Sequence, residues 1–242
     1  MEIHEPFYLK VDGLSIASQD DGVMVPRPII RLASELKEFL KDPDAVNPND
    51  PVLSVYRGLN LRVDERLFSD IRYDLTILLP GRLGSEKNKT LSHYHNDFIT
   101  GLSYPEIYEV LSGVGHFLLQ KPPERGGPEA VLFEVKKGQG IFIPPNYGHL
   151  AINPGEDTLV YSNLICKRVE PSLEEFKKRK GAVYYELYDG SFEKNPNYDW
   201  DVKLAKRGGD ASMSKIYKKF RDNPQDFSYL CNPSSLGNEK LQ

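Results

Sequence analysis

Two histidines separated by one residue are the first feature of this sequence that could carry out chemistry. Residues 90–95 read TLSHYH. On a β-strand, successive side chains alternate between faces, so His93 and His95 point to one side and Tyr94 to the other. Two imidazoles on one face can bind a single metal ion, although a His-x-His pair alone is weak evidence. Further ligands must therefore come from elsewhere in the chain.

Two later segments supply candidates for those further ligands. In the segment EIYEVLSG that begins at Glu106, strand alternation places Glu106 and Tyr108 on one face and Glu109 on the other. Residues 138–153 read GQGIFIPPNYGHLAIN, which predicts a strand, a proline turn and a second strand that opens with His149. His149 thereby adds a third imidazole to His93 and His95.

The elements that position these residues are predicted to be short strands. The composition favours them, with 14 Tyr, 11 Phe, 19 Gly and 18 Pro in 242 residues. The predicted strands are 73–79, 107–111, 114–120, 130–135, 140–143, 149–152, 158–166 and 182–187. The Ser112-Gly113 turn predicts a hairpin between strands 107–111 and 114–120. This spacing is typical of an all-β sandwich or barrel.

Helices are predicted near the two ends of the chain. An apolar stripe from Ile30 to Leu40 predicts a helix that stops near Asp42, because Pro43 disfavours the helical conformation before it. Shorter helices are predicted at 173–179 and 212–220, the second with a basic, solvated face. We expect an N-terminal arm and helix over 1–50, a barrel over 51–190, and a C-terminal extension over 191–242 packed on or beside the barrel.

Composition excludes several classes of protein. No apolar run reaches the roughly 18 residues of a membrane helix, and 31 basic against 35 acidic residues create no field that attracts nucleic acid. The N-terminus shows no secretory signal, which predicts a cytoplasmic protein. Cys166 and Cys231 are too few for a disulfide framework or a thiolate zinc cluster, and this also fits a reducing compartment.

Taken together, these segments resemble the two motifs of the cupin superfamily. The first motif has a His-x-His pair and a Glu seven positions before a Gly, as at Glu106 and Gly113. The second motif is matched by Gly138, Pro144, His149 and Asn153. Asn146 replaces a usual Gly, and Asn tolerates the left-handed conformation, so we expect the turn to be kept. The resemblance implies an all-β cupin jelly-roll barrel with short helices at its N- and C-terminal ends.

Within the cupins, the chain is similar to the archaeal-type, metal-dependent glucose-6-phosphate isomerases, from the predicted helix at 31–41 to about 195–197. The resemblance implies interconversion of glucose 6-phosphate and fructose 6-phosphate, a step of glycolysis and gluconeogenesis. It also implies a homodimer that takes a sugar phosphate substrate and one divalent metal ion per subunit. Iron is the first expectation for that ion, with Mn, Ni, Zn or Co as alternatives.

The resemblance also assigns residues to roles. The implied metal ligands are His93, His95, Glu106 and His149. Glu106, Tyr108 and His149 are the implied catalytic residues, and Thr76, Thr90, Ser92 and Tyr108 the implied substrate-binding residues. Two tyrosines that the family uses after the second motif have no direct counterpart: Ile165 stands at the first, with Tyr161, Tyr184 and Tyr185 as possible substitutes. His4 and His116 lie outside the motifs and are expected to be structural or surface residues.

Two rival functions fit the same ligand set. A non-haem iron dioxygenase could use it to bind Fe(II) and O₂. A sugar-binding or storage cupin could keep the metal only for structure. For the isomerase, hydrogen could move through an enediol, which needs a base, or directly between carbons beside a polarising metal. We favour the direct route, with Glu106 chiefly a ligand and Tyr108 positioning the sugar, while the native metal and the choice between glucose and mannose 6-phosphate stay open.

Overall fold

The chain folds mainly into β-strands. The structure is a computed structural model that describes residues 1–96, 103–125 and 127–236. Its strands are β1 Glu2–Ile3, β2 Leu9–Asp12, β3 Ser15–Ser18, β4 Val23–Met24, β5 Ile29–Leu32, β6 Pro51–Arg57, β7 Asn60–Leu61, β8 Ile71–Leu78, β9 Arg82–Leu83, β10 Glu86–Lys87, β11 Tyr94–Asn96, β12 Glu106–Ser112, β13 Val114–Lys121, β14 Glu129–Lys136, β15 Gly140–Ile143, β16 Gly148–Ile152, β17 Leu159–Cys166, β18 Glu170–Ser172, β19 Tyr184–Glu186, β20 Phe192–Lys194 and β21 Leu204–Gly208.

Helices are short by comparison. The α-helices are α1 Ala33–Leu36, α2 Glu174–Lys178 and α3 Ile216–Asp222. The 3₁₀ turns are Lys37–Phe39, Pro43–Ala45, Arg62–Phe68, Pro123–Arg125, Ala211–Met213, Pro224–Leu230 and Pro233–Ser235. None of the helices in the described ranges is long and apolar enough to cross a membrane.

Two sheets enclose the main core. A six-stranded antiparallel sheet has the order β15-β12-β17-β8-β6-β5, and a four-stranded sheet has the order β16-β13-β14-β21. Inward-facing residues of both sheets, such as Val110, Phe117 and Leu159, form one buried cluster between them. Period-2 alternation along these strands explains why one face of each is apolar. The predicted all-β cupin jelly roll is confirmed.

The outer face of the six-stranded sheet is also covered. Tyr73 and Leu75 of β8 are buried against the N-terminal arm and the C-terminal segment, which contribute Phe7, Tyr217 and Phe220 to one apolar cluster. A disulfide joins Cys166, at the end of β17, to Cys231 in the C-terminal segment. The two cysteines therefore give no support for a reducing compartment, contrary to our expectation.

The predicted strands are observed with small shifts, but two other expectations are wrong. Residues Ile29–Leu32 form β5, which pairs with β6, and only Ala33–Leu36 and Lys37–Phe39 are helical. Pairing at the sheet edge overrides the helical pattern there. The Ser112-Gly113 turn does not make a hairpin, because β12 pairs with β15 and β17 while β13 pairs with β14 and β16. The turn is instead a corner at which the chain changes sheets.

The C-terminal part of the chain contributes strand β21 and helix α3 to the fold. Strand β21 lies parallel to β14 at the edge of the four-stranded sheet. The helix expected at 212–220 is observed as a 3₁₀ turn followed by α3. Helix α3 buries Ile216, Tyr217 and Phe220, and Lys218 and Lys219 are exposed. The division into arm, barrel and extension stays a prediction.

Candidate functional site

The four predicted ligand residues come from three neighbouring stretches of backbone. His93 and His149 face each other in an isolated β-bridge, with N–H to O distances of 2.9 and 3.1 Å in the two directions. His95 lies on β11 and Glu106 opens β12, at the end of the six-stranded sheet nearest that bridge. One potential ligand atom from each residue lies within 4.8 Å of the other three. The structure therefore brings together the residues that were predicted as ligands.

The atoms at the centre of this cluster all carry lone pairs. Nε2 of His93 lies 3.1 Å from Nε2 of His95. Oε2 of Glu106 lies 3.5 Å from Nε2 of His95 and 3.2 Å from Nε2 of His149. Nδ1 of His93 lies 3.1 Å from the Leu91 carbonyl oxygen. Donation from Nδ1 to that carbonyl assigns the tautomer in which Nε2 is unprotonated, a common arrangement for histidine ligands of metals.

One carboxylate oxygen in the cluster is buried without a donor. Oε2 of Glu106 has no hydrogen-bond partner among the described residues. A buried carboxylate oxygen without a partner is costly unless a cation neutralises it. Nitrogen and oxygen donors of this kind match the preferences of divalent transition metals. The residues present therefore fit a bound divalent cation.

Burial keeps the imidazoles ready to act as ligands. It lowers the pKa of His93 to about 4, with the nearby His149 adding to the effect, and lowers the pKa of His149 to about 4 as well. Burial also lowers the pKa of His95 well below its usual range. Because only neutral imidazole binds a metal, these side chains need no deprotonation at neutral pH. Burial raises the pKa of the Glu106 carboxyl to about 7.

Tyr108 lies beside the ligands on the same face of β12 as Glu106. Its hydroxyl oxygen is 3.3 Å from Nε2 of His149, and its ring packs edge-on against the ring of Tyr161 with 5.4 Å between centroids. Burial, together with the charge of Glu106, raises the pKa of Tyr108 well above its usual value. The hydroxyl therefore stays protonated and can donate a hydrogen bond. Glu109 points the other way, as expected, and accepts hydrogen bonds from the backbone N–H groups of Lys215 and Ile216.

Local sequence explains how the histidines are held. Asn146 adopts φ 73°, so the predicted left-handed turn before His149 is kept, and its backbone N–H donates to Ser103 Oγ at 2.7 Å. A Cβ on Gly148 would lie 2.6 Å from ring atoms of Tyr94 and Phe176. Tyr94 lies between the two first-motif histidines, so the small size of Gly148 lets that segment pack against β16.

A cavity of about 180 Å³ opens beside the cluster. Thr76 and Thr90 both line it, as do His93, His95 and Glu106. Thr90 Oγ1 also accepts a hydrogen bond from the Ala151 N–H at 3.0 Å, and Thr76 is a hydrogen-bond partner of Tyr161. Ser92 is fully buried and is not one of the residues lining this cavity. Because both threonines line the cavity, they are positioned to contact a ligand bound in it.

The remaining candidate residues divide into those that line the cavity and those that lie elsewhere. Tyr161 and Ile165 line the cavity. Tyr184 and Tyr185 lie elsewhere, where their hydroxyls donate to the carbonyls of Val202 and Lys180. His4 is exposed, and His116 Nδ1 lies 2.8 Å from Glu186 Oε2, away from the cluster.

Sequence reasoning missed a set of polar residues in the same cavity. These are Arg31, Arg57, Arg72, Asp74 and Asn163. The alternation Arg72-x-Asp74-x-Thr76 along β8 was a signal that could have found two of them, because it places polar side chains on one face of a strand. Arg57 and Asn163 carry no such local signal.

Comparison with known proteins agrees with this geometry. A sequence model of the family described as Glucose-6-phosphate isomerase (GPI) matches residues 30–203. The glucose-6-phosphate isomerase of Thermococcus litoralis is 30% identical over 166 residues, which cover 66% of this chain and 78% of that protein. A putative glucose-6-phosphate isomerase 1 of Rhizobium meliloti is 33% identical over 173 residues, covering 70% and 72%.

Solved structures give a weaker likeness. Oxalate decarboxylase from Bacillus subtilis aligns with a TM-score of 0.35 and 18% identity, over 47% of this chain and 25% of that chain. That similarity is too slight to support a conclusion. The family match, in contrast, spans both motif segments together with the strands that carry the cluster. The chain therefore belongs to the glucose-6-phosphate isomerase family, in its archaeal-type cupin form.

Proposed function

We propose that this protein is a metal-dependent aldose–ketose isomerase that interconverts glucose 6-phosphate and fructose 6-phosphate. The observation that carries the proposal is the convergence of three imidazole nitrogens and one carboxylate oxygen beside a cavity. His93, His95, Glu106 and His149 would hold one divalent ion. A bound ion would supply Lewis acidity, polarising the oxygens on C1 and C2 of the open-chain sugar.

The residues around the ion have distinct roles in this proposal. His93, His95 and His149 are neutral ligands, and Glu106 contributes the single negative charge. Because the pKa of Tyr108 is raised, its hydroxyl acts as a hydrogen-bond donor that orients a sugar oxygen, and it is a poor base. A carboxylate that binds a cation is also a weaker base than a free one. These two features support hydrogen transfer between C2 and C1 without a protein base.

Substrate binding is assigned to the cavity beside the ligand cluster. Thr76 and Thr90 offer hydroxyl groups to the phosphate, and Tyr108 contacts the sugar. Ser92 is fully buried and does not line the cavity, so its role in substrate binding remains a prediction from the family resemblance. The homodimer, the cytoplasmic location and the role in glycolysis and gluconeogenesis remain predictions from the family resemblance.

The proposal is tested by conversion of fructose 6-phosphate in a coupled assay. Metal-stripped protein should be inactive and should regain activity when Fe, Mn, Ni, Zn or Co is restored, each tested separately. The ion that restores the highest kcat/KM at equal occupancy identifies the preferred metal. Full activity of stripped protein in the presence of a chelator would refute metal dependence.

The route of hydrogen transfer is tested by turnover in deuterated water. With glucose 6-phosphate as the substrate, direct transfer moves the original hydrogen from C2 to C1, so the fructose 6-phosphate product should contain no solvent deuterium at C1. An enediol route exchanges that hydrogen with solvent through a base. Substantial deuterium at C1 would therefore show proton exchange through an enediol and would refute direct transfer.

A further inference from the structure

The end of the cavity away from the metal ligands is positively charged. Arg31, Arg57 and Arg72 belong to three adjacent strands, β5, β6 and β8, and all three line the cavity. Two of the three are already paired. Arg31 Nη1 lies 2.5 Å from Glu35 Oε2, and Arg72 Nε donates to both carboxylate oxygens of Asp74 at 2.8 Å.

Arg57 differs from the other two. Within residues 1–96, 103–125 and 127–236, its guanidinium has no hydrogen bond and no ion pair. The Asp74 carboxylate, on the strand paired with that of Arg57, is buried and accepts hydrogen bonds from Arg72 and from the Gly58 N–H at 2.9 Å. Of the three arginines that line the cavity, Arg57 is therefore the one without a carboxylate partner in the described part of the chain.

The sheet register places Arg57 in line with the active-site tyrosine. Tyr108 of β12 is opposite Asn163 of β17, Asn163 is opposite Asp74 of β8, and Asp74 is opposite Arg57 of β6. Three strand spacings separate the ends of this row, so the backbones of Tyr108 and Arg57 are roughly 14 Å apart. Side chains project into that interval from both ends. The space between them suits an extended ligand with one reacting end and one anionic end.

The arginines and the ligand cluster line the same cavity and interact electrostatically. Partial burial and the positive charge of Arg72 lower the pKa of Arg57 from its usual value, with Arg31 adding to the effect. The charge of Arg57 in turn helps to lower the pKa of His93, and Arg72 opposes the rise in the pKa of Glu106. Repulsion among like charges makes a bound anion favourable at this point.

We propose that Arg57 binds the phosphate group of the substrate, with Arg31 beside it and Thr76 on the neighbouring strand, and so sets the distance between the phosphate and the reacting carbons. This inference rests on the proposed function, because a sugar phosphate must present C1 and C2 to the ligand cluster. A guanidinium binds phosphate oxygens through two parallel hydrogen bonds, which fixes orientation as well as charge. Arg72 has a different role, since Asp74 holds it against the wall.

The test compares Arg57→Gln and Arg57→Lys with Arg66→Gln, which removes the same charge from an exposed arginine outside the cavity. Arg57 is solvent-exposed, so these variants should fold normally. Metal-loaded Arg57→Gln should raise KM for fructose 6-phosphate by roughly ten- to a hundredfold, with kcat changed much less. Arg57→Lys should raise KM less, because it keeps the charge and loses the two-point contact.

A second readout does not depend on turnover. Inorganic phosphate should bind metal-free wild-type protein in calorimetry, and this binding should be weakened by the same factor in Arg57→Gln and unchanged in Arg66→Gln. Equal KM and equal phosphate affinity in Arg57→Gln and Arg66→Gln would overturn the inference, as would a fall in kcat at constant KM. Arg57-dependent phosphate binding in a protein that fails to isomerise fructose 6-phosphate would support the anion site and refute the proposed function.

Discussion

The two faces of strand β8 differ in almost every physical respect. On one face, Arg72, Asp74 and Thr76 line the cavity. On the other, Tyr73, Leu75 and Ile77 are fully buried in the apolar cluster that the N-terminal arm and the C-terminal segment complete. Adjacent residues of a strand therefore serve different purposes. Under the proposed function, one face of the strand takes part in ligand binding, and the other packs in an apolar core.

This division predicts that substitutions on the two faces change different properties. Loss of a group on the cavity face should reduce ligand binding or turnover while the protein stays folded. The apolar cluster on the other face of β8, which includes Phe7, Tyr73 and Tyr217, is called the covering layer. Loss of a group in this layer should lower the free energy of unfolding while the site keeps its geometry.

The largest effect is expected from His149→Ala. Removal of one imidazole leaves three ligands and an open coordination position, so bound metal should fall sharply, and kcat/KM should fall by more than the roughly 10- to 100-fold typical for loss of a residue that only supports a ligand. Elemental analysis and the isomerase assay measure the two effects. His4→Ala removes an exposed histidine and should change neither. Full metal occupancy in His149→Ala would refute the ligand assignment.

A loss of stability, with activity retained, is expected from Tyr217→Ala in the covering layer. Tyr217 is 1% exposed, packs against Phe7 and Tyr73, and donates a hydrogen bond to Asp64 at 2.9 Å. Its truncation should cost about 3–5 kcal/mol of unfolding free energy. Denaturant unfolding measures this loss, and Tyr8→Ala, at a site 67% exposed, is the control. A fall in kcat/KM without a loss of stability would break the proposed separation.

A smaller effect, on the affinity for the metal ion, is expected when the pH is lowered below 7. Burial raises the pKa of Glu106 to about 7, so below that pH a metal ion must displace one proton to bind the carboxylate. Metal affinity should therefore fall by about tenfold for each pH unit below 7 and level off above it. The histidines add no slope in this range, because the pKa values of His93 and His149 are about 4.

Calorimetry in buffers of different ionisation enthalpy would count the released protons directly. Near one proton per metal ion at pH 6 is the expected value for wild type, and close to none for Glu106→Gln. Release of two or three protons at pH 6 would show that the imidazoles are protonated before the metal binds. That result would contradict the neutral histidine cluster described here.

The ligand cluster could be predicted from sequence because its information is local. His93 and His95 are two residues apart, and Glu106 and His149 have spacings typical of a known motif. The cavity wall could not be predicted in the same way. Arg57 is aligned with Asp74 and Asn163 by the register of three strands. No short sequence pattern encodes that register.

The errors in the fold have a related cause. Residues 29–32 have a pattern compatible with a helix, and only the presence of β6 beside them makes a strand the better choice. The corner at Gly113 has the residues of a hairpin turn, with φ at 83°, yet its two strands belong to different sheets. The same turn residues fit a hairpin and a corner between two sheets, so the pairing of the flanking strands decides which of the two forms.

The disulfide also has a topological consequence for this enzyme. Cys166 and Cys231 are 65 residues apart, and their bond closes the chain between them into a covalent ring. The exposed turn at Tyr188–Ser191 lies inside that ring. A protease that cuts the turn would open the ring, yet the disulfide would keep the two pieces covalently joined under oxidising conditions. Whether a nicked molecule is one covalent chain or two chains held by packing alone therefore depends on the redox state of its surroundings.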